Sequence, residues 1–414
     1  MLSYLKSLFL LLCLLLGSQL AAHATPRVAI VLRADPATHT FTCRYTITVP
    51  ATDTAAVLRL NLLRQWHLQP PAAPAQVGRV YSSYFGDTVQ QVTARYPAHH
   101  VQRLTFTYSG TLDKYFATEH VLEFSGHTIW LPFRPDGEYE LVDYTLAVQV
   151  PAGYQVRSTT PARRQRAGYY EFAGRTSAIE PTALVARQFY ELTTRTKPAI
   201  AVRKASGPLL PADSALLRKA QDIIGFYNRT LGQQDPITRF TILLPGTSRD
   251  AFGLLDNATV ITYPTFEVAQ REDELILAHE ISHKWWGYGS VHDESDWLNE
   301  AFATYSSMLY LQAKGDTAGY RQNYNKLAQT TANTPPIIGF DRTKYEPGMY
   351  RRVAYNKGMV VLAALHQRVG TAQFYAILAT TAARQVGTTT GFLDVVGQLA
   401  GTETRAWLRT QLSQ

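Results

Sequence analysis

The sequence predicts an α+β chain in two parts: an N-terminal antiparallel β-sheet domain over 25–196, then a domain over 197–414 with a small sheet and mainly helices. Three observations predict it. Short segments of alternating residues, rich in β-branched and aromatic side chains, fill the first half, with breaks at Pro50, Gly110, Pro151 and Gly153. The pattern changes after Lys197-Pro198, and beyond Glu272 the signals are almost entirely helical. A length of 414 residues also exceeds what one ordinary hydrophobic core serves.

Residues 1–24 read as a secretory signal peptide. Lys6 supplies a positive charge, an apolar run follows over 8–16, and Ala22-His23-Ala24 offers small residues for cleavage. The run is short for a bilayer span, so no stable membrane span is expected after cleavage; an uncleaved anchor is the alternative. The expected location is therefore outside the cytoplasm, secreted or periplasmic. Cys13 would leave with this segment, and Cys43 alone rules out an intrachain disulfide. Cys43 lies in the alternating segment Thr40-Phe41-Thr42-Cys43-Arg44-Tyr45 and reads as a small buried hydrophobe rather than a reactive thiol.

The strands of the first part follow in order: 28–32, 45–49, 104–108, 144–150 and 169–172. Gln65-Trp66-His67 and the aromatic run from Tyr81 to Phe85 read as core or sheet packing. The formal charge is +8, but Lys and Arg are scattered among acidic residues. The densest cluster, Arg163-Arg164-Gln165-Arg166 before Gly168, reads as a solvated turn. No basic stripe interleaved with aromatics is present, so nucleic acid is not an expected partner.

Ser206-Gly207-Pro208 through Pro211 looks like the join. A helix is predicted over 215–231, capped by Asp213 or Ser214 and closed by Gly232. Strands follow at 240–244, ending at Pro245-Gly246, and at 259–263. A helix then begins at Glu272-Asp273-Glu274, acidic residues suited to a helix N-terminus, and meets no breaker until Gly287.

This helix carries the chemistry. His279 and His283 are four apart and project from one face, where two imidazoles can bind one tetrahedral zinc ion. Glu280 points too far round to share the ion but can reach a water bound to it, which is the physical content of H-E-x-x-H. With no cysteine available, the third ligand is His or carboxylate. Position 289 is Gly289, which excludes a third His six residues on; His292, Asp293 and Glu294 read as loop. A second helix opens at Ser295-Asp296-Trp297-Leu298-Asn299-Glu300 and runs to about Ala313, with Gly315 as its stop. Glu300 near its start can face the two imidazoles, giving one zinc ion with three protein ligands and an open position.

His279-Glu280-Ile281-Ser282-His283-Lys284-Trp285-Trp286-Gly287, followed by Trp297-Leu298-Asn299-Glu300-Ala301-Phe302-Ala303, resembles the signature of the M1 aminopeptidase family of gluzincin metallopeptidases. Lys284 to Asn299 is two residues shorter than the family's usual eighteen, which reads as a trimmed loop. The resemblance implies a thermolysin-like catalytic domain behind the β domain. Tyr355-Asn356-Lys357-Gly358 is similar to the family's Tyr-Glu-Lys-Gly segment, whose tyrosine hydrogen-bonds the tetrahedral intermediate; Tyr350 is the rival. Gly253-Leu254-Leu255-Asp256-Asn257 stands where the family has Gly-x-Met-Glu-Asn, with Thr262-Tyr263 at the matching offset. In the family that Glu holds the substrate's free amino group. Here Asp256 keeps the charge on a shorter arm, and a plain edge-strand turn is the other reading. An exposed strand edge there would suit a peptide backbone, with Gly253, Asp256 and Asn257 as the substrate-binding residues.

The expected function is thus a zinc peptidase acting on peptides or proteins, with Glu280 as general base and Tyr355 as oxyanion donor. Larger family members add a helical domain after the region resembled here, so a more open cleft and endopeptidase action stay open beside aminopeptidase action. A non-catalytic zinc-binding module and a hydrolase of another electrophile complete the alternatives.

Overall fold

The computed structural model describes residues 25–51, 56–72, 75–82, 85–97, 99–247, 253–256, 258–263, 266–267 and 270–414. The expected signal peptide over 1–24 lies outside the described residues.

Alternation builds the first part. In Arg27–Asp35 the side chains of Val28, Ile30, Leu32 and Ala34 are buried while their neighbours face outward, the period of a sheet with one face on a core. That strand sits inside a seven-stranded sheet ordered Arg164–Arg166, Tyr169–Ser177, Leu141–Gln149, Arg27–Asp35, Thr40–Val49, Gln102–Thr111, His67–Leu68. All pairings are antiparallel except that of Arg27–Asp35 with Leu141–Gln149, which is parallel. Two three-stranded sheets complete this part: Val57–Leu62, Asp87–Arg95, Gln76–Ser82; and Gln155–Arg157, Ala183–Ala186, Val121–Phe124.

Cys43 is fully buried in this core, and burial pushes its thiol up to about 12, so it packs as the hydrophobe expected. Trp66 is buried edge-on against Phe41 and donates from Nε1 to the Ile129 carbonyl, 3.1 Å away. Tyr81 departs from the packing expected of its run: it lies on the edge strand Gln76–Ser82 with 66% of its surface exposed. Ser83 and Tyr84 of that run lie outside the described residues. Arg164–Arg166, read as a turn, forms one arm of a hairpin with Tyr169–Glu171, and the turn itself falls at Gly168, whose φ is +68°.

The second sheet runs Tyr190–Thr193, Ala199–Lys204, Arg239–Leu244, Val260–Thr262, Gly253–Leu255, with its two middle pairings parallel. Its first strand precedes position 197, because Tyr190–Thr193 forms a hairpin with Ala199–Lys204 and cannot be separated from it. Val121, Leu184 and Ala186 of the first part pack with Ala205, Leu243 and Val260 of the second, joining the two cores.

Helices cover this sheet. Helix α1 (Pro211–Thr230) begins earlier than the sequence suggested: Pro211 takes the first turn, where its missing N–H costs nothing, and Asp213 accepts from the Leu210 N–H at 2.6 Å. Helix α2 (Arg271–Ser282) carries the H-E-x-x-H residues, and α3 (Trp297–Ala313) follows a short 3₁₀ turn, Glu294–Asp296. Buried Glu274 on α2 receives Lys219 of α1 at 2.6 Å and Lys314, just past α3, at 2.5 Å, and Tyr227 of α1 donates to the Ala278 carbonyl at 3.0 Å. These bonds fix α2 against both neighbours. Helices α4 (Thr317–Ala328), α5 (Gly358–Val369), α6 (Thr371–Ala383) and the segment Thr389–Leu412, two helices meeting at a kink at Gly401, complete the second part. Among the described residues no helix is long and apolar enough to cross a membrane.

Candidate metal centre and active site

Helix α2 stops at Ser282, four residues short of the end expected at Trp286. His283 closes it through a tight bond from its N–H to the Glu280 carbonyl, and the chain then turns so that the Trp286 carbonyl meets His283 Nδ1 at 2.6 Å. A carbonyl only accepts, so Nδ1 carries the imidazole proton and Nε2 presents a lone pair. His279 Nδ1 lies 3.4 Å from the Thr304 hydroxyl of α3, which leaves its Nε2 on the same side. The two Nε2 atoms are 3.2 Å apart.

Glu300 comes from the first turn of α3, antiparallel beside α2. Its Oε2 stands 3.4 Å from His279 Nε2 and 3.8 Å from His283 Nε2, and the three ligand atoms lie within 4.8 Å of one another. Among the described residues this is the cluster of His, Cys, Asp and Glu side chains that could hold a metal ion. The Oε2 atom is buried and accepts no hydrogen bond. Burial pushes the Glu300 carboxyl up, but the two imidazoles and the Tyr355 hydroxyl outweigh it and hold the group below the ordinary carboxylate value. His283's Nε2 lone pair, His279 Nε2 and a carboxylate oxygen converge on one point, a set of donors that a cation would join. The donor set therefore fits a divalent ion, and N/N/O with His and carboxylate suits zinc.

Glu280 faces the same space. Burial pushes its carboxyl up to about 7, Glu300 adds to the rise, and His283 and Arg351 oppose it. A cation on the three ligands would draw it down again.

Tyr355 lies on a π-helical turn, Arg351–Lys357, that runs into α5. Its ring stacks parallel on His279 with centroids 5.9 Å apart, and its hydroxyl lies close enough to the Glu300 carboxylate to feel its charge. Burial, then the negative charge of Glu300, push the phenol well above its usual range, so it stays a neutral donor. Its rival Tyr350 is occupied elsewhere, donating to Asp296 Oδ2 at 2.6 Å. The Tyr355 position depends on Gly358: a Cβ there would meet Ala301 Cβ at 2.5 Å, so only glycine lets α5 approach α3 this closely.

Of the substrate-binding candidates, Gly253 and Asp256 lie among the described residues, and Glu280 acts on the phenol of Tyr263 in the same segment. Gly253 pairs with Thr262 on the sheet edge, and a Cβ on it would meet His127 Nε2. Asp256 is buried at a φ of +53°. Burial pushes its carboxyl up and Arg239 opposes, while its own charge acts on Tyr144 and Glu180; its N–H donates to Glu180 Oε2 at 3.1 Å. Among the described residues no hydrogen bond or ion pair joins it to His279, His283, Glu280 or Glu300. Asn257 lies outside the described residues. Sequence reasoning passed over Thr304, although it sits four residues beyond Glu300 on the same helix face.

A β-sheet part ahead of a helical part, with H-E-x-x-H on one helix and a third ligand from the next, defines the metallopeptidase class of fold. Residues 252–401 match the peptidase family M1 domain, so this chain carries an M1 domain, as the motifs implied. A curated relative, Probable aminopeptidase 1 of Saccharolobus solfataricus, is 30% identical over 138 residues, 31% of this chain, and the match spans 17% of that protein's length. An M1 zinc metallopeptidase from Deinococcus radiodurans has the same fold, with a TM-score of 0.67 at 19% identity over 94% of this chain and 93% of that one. A mutant of that enzyme bound to a Tyr-Ser-Ala substrate superposes with a TM-score of 0.66 at 20% identity, covering 94% of each chain.

Proposed function

We propose that this chain is a peptidase dependent on one zinc ion, and that it acts as an aminopeptidase. The observation that carries the reading is Glu300 Oε2, a buried oxygen without a hydrogen-bond partner, 3.4 Å from Nε2 of His279 and 3.8 Å from that of His283, the latter with its proton on Nδ1. Held by His279, His283 and Glu300, the ion would supply Lewis-acid polarisation and acidify a water.

The chain's own residues do the rest. Glu280, one position from a ligand and in the same space, takes a proton from the attacking water and returns it to the leaving amine. Tyr355 donates its O–H to the carbonyl oxygen as negative charge builds there. Arg351, whose guanidinium lies 4.7 Å from the Tyr355 ring centroid, keeps positive charge beside both groups.

Aminopeptidase action is supported by the name of the curated relative and by the Gly253-to-Tyr263 segment. The placement of Asp256 beside Arg239 and Glu180 favours the second reading, an endopeptidase. Hydrolysis of one peptide series with free and with acetylated N-termini, alongside zinc counted per chain, separates them. Cleavage of free N-termini alone with one zinc per chain is expected. Equal cleavage of both series would replace the aminopeptidase reading, and no zinc at full occupancy of the protein would overturn the whole of it.

Export is proposed from Lys6, the apolar run and Ala22-His23-Ala24. Protein recovered from producing cells should begin at Thr25; an intact Met1 would refute cleavage.

A further inference from the structure

We propose that Asp296 and Tyr350 form a positioning pair that sets the place of Tyr355, acting on the reaction only through it. The inference rests on the reading of Tyr355 as the oxyanion donor.

Its basis is a contact between two elements. Asp296 and Glu300 are four apart at the start of α3 and so lie on one face, a helical turn from each other. Tyr350 and Tyr355 are five apart. In an α-helix five residues place side chains about 140° apart, on different faces. The π turn Arg351–Lys357 carries more residues per turn and brings the two rings together, edge to face at 5.8 Å. Tyr350 donates to Asp296 Oδ2 at 2.6 Å, while Tyr355 stacks on His279 near the Glu300 carboxylate. The widened turn is what lets Tyr350 keep its bond while its ring backs Tyr355.

Asp296 is an expensive residue for mere packing. It is 4% exposed, and among the described residues no ion pair joins it, though the charge of Arg342 acts on it. Its second oxygen accepts from Asn299 Nδ2 at 2.8 Å. Asn299 in turn exchanges two bonds with Gly289 on the loop leaving the His283 turn, accepting from its N–H at 2.8 Å and donating to its carbonyl at 2.9 Å. A Cβ on Gly289 would meet the Ser295 carbonyl oxygen at 2.3 Å, so the loop is pressed against this network. Asp296 thereby joins the loop after the paired imidazoles, the start of the Glu300 helix and the tyrosine turn. Arg342, 5.3 Å from the Tyr350 ring centroid, covers the outer side. A buried carboxylate held by neutral donors costs stability that apolar packing would not. Directed bonds are what it supplies in return.

The test is a mutant cycle in the zinc-loaded enzyme, scored on one cleaved peptide. Tyr350→Phe keeps the ring and its stack with Arg342 but removes the hydroxyl. It is expected to lower kcat by about tenfold to a hundredfold, the order set by an ångström-scale misplacement, with KM within about threefold. Asp296→Ala should match it, whereas Asp296→Asn, which still offers an oxygen to the phenol, should recover most of the rate. Added to Tyr355→Phe, Tyr350→Phe should change nothing further, since the group it positions is already gone. Losses that multiply in the double variant, or wild-type kcat in Tyr350→Phe, overturn the proposal. A crystal structure of Tyr350→Phe reads the same point without turnover. The Tyr355 ring should leave its parallel stack on His279; an unmoved ring overturns the proposal even if the peptidase reading itself has failed.

Discussion

Replacing Gly358 by Ala tests whether helix contact places the tyrosine. In an exposed helix the change would stabilise by about 1 kcal/mol, because alanine is the better helix former. Here the new methyl would stand 2.5 Å from Ala301 Cβ and 3.1 Å from Trp297 Cε3, against the ordinary carbon contact of roughly 3.5–4.0 Å. Neither neighbour is a flexible chain end: Ala301 is fully buried on α3, and Trp297 is fully buried and anchored through Nε1 to Thr389 at 3.0 Å. The relief must come from α5 moving out by about 1 Å, with an overpacking cost of about 1–3 kcal/mol. The two effects partly cancel, leaving about 0–2 kcal/mol of destabilisation and a fall in Tm of up to about 8 °C, at roughly 2–4 °C per kcal/mol for a domain of this size. Activity should respond more strongly. Tyr355 lies three residues before Gly358, so it moves with the helix, and a displacement of about 1 Å costs on the order of a hundredfold in rate. Thermal melting and steady-state hydrolysis of one peptide measure both. Gly358→Ala with unchanged kcat would show that the α3–α5 contact does not set the tyrosine.

Glu280→Gln should bind zinc to the wild-type stoichiometry and lose about a hundredfold to ten-thousandfold in kcat, read by metal analysis and turnover on one sample. Glu300→Gln should weaken zinc binding by at least about a hundredfold in competition with a chelator, because it replaces the anionic ligand. Chelation of the wild type should lower its Tm, by a linkage of about 2.7 kcal/mol where free zinc had stood at a hundred times its Kd, and restoring zinc should return it. Glu274→Gln should lower Tm at pH 7. Burial raises the Glu274 carboxyl, but Lys219 and Lys314 outweigh it and leave the folded group below its ordinary 4.5. Its contribution is therefore full above 4.5 and fades as pH falls through the folded value, so melting curves of wild type and variant should converge in acid.

What was legible in the sequence is what neighbours in the chain decide. Alternation exposed the strands from Arg27 to Ser177, because a sheet with one buried face imposes period two locally. The spacing of His279 and His283 fixed a shared helix face, and the position of Glu300 near the start of the next helix needed only an antiparallel neighbour. What was not legible depends on partners distant in sequence. The end of α2 at Ser282 is set by a side-chain bond to the Trp286 carbonyl. The π turn has no local signature, since its partners are distant: Tyr350 on Asp296, Tyr355 on His279 and Gly358 on Ala301. The choice between Tyr350 and Tyr355 turned on Asp296, which the sequence placed only in the opening of the second helix. At position 256 the offset to Thr262-Tyr263 is kept, and the burial and nearby Arg239 that set the carboxyl's surroundings are not announced by any spacing in the chain.

The centre is assembled from constraints of two different kinds, and they bear on different steps. The ligands are held by structure that needs no ion. Glu274 ties α2 to α1 and α3 through two lysines, the Trp286 carbonyl orients one imidazole, and Thr304 meets the other. Such support keeps the ligand atoms aimed at one point, so the binding energy of an ion is not spent on ordering its ligands. Tyr355 is held otherwise, by a widened turn with one close helix contact, a stack on His279 and the Tyr350 bond to Asp296. Perturbing the first set changes whether an ion is bound, and perturbing the second changes how fast a bound substrate reacts. A single variant that lowered zinc affinity and kcat together from the Tyr350 side would mean that the two sets share a member, and Asn299, bonded to both Asp296 and the loop after His283, is the residue through which that would happen.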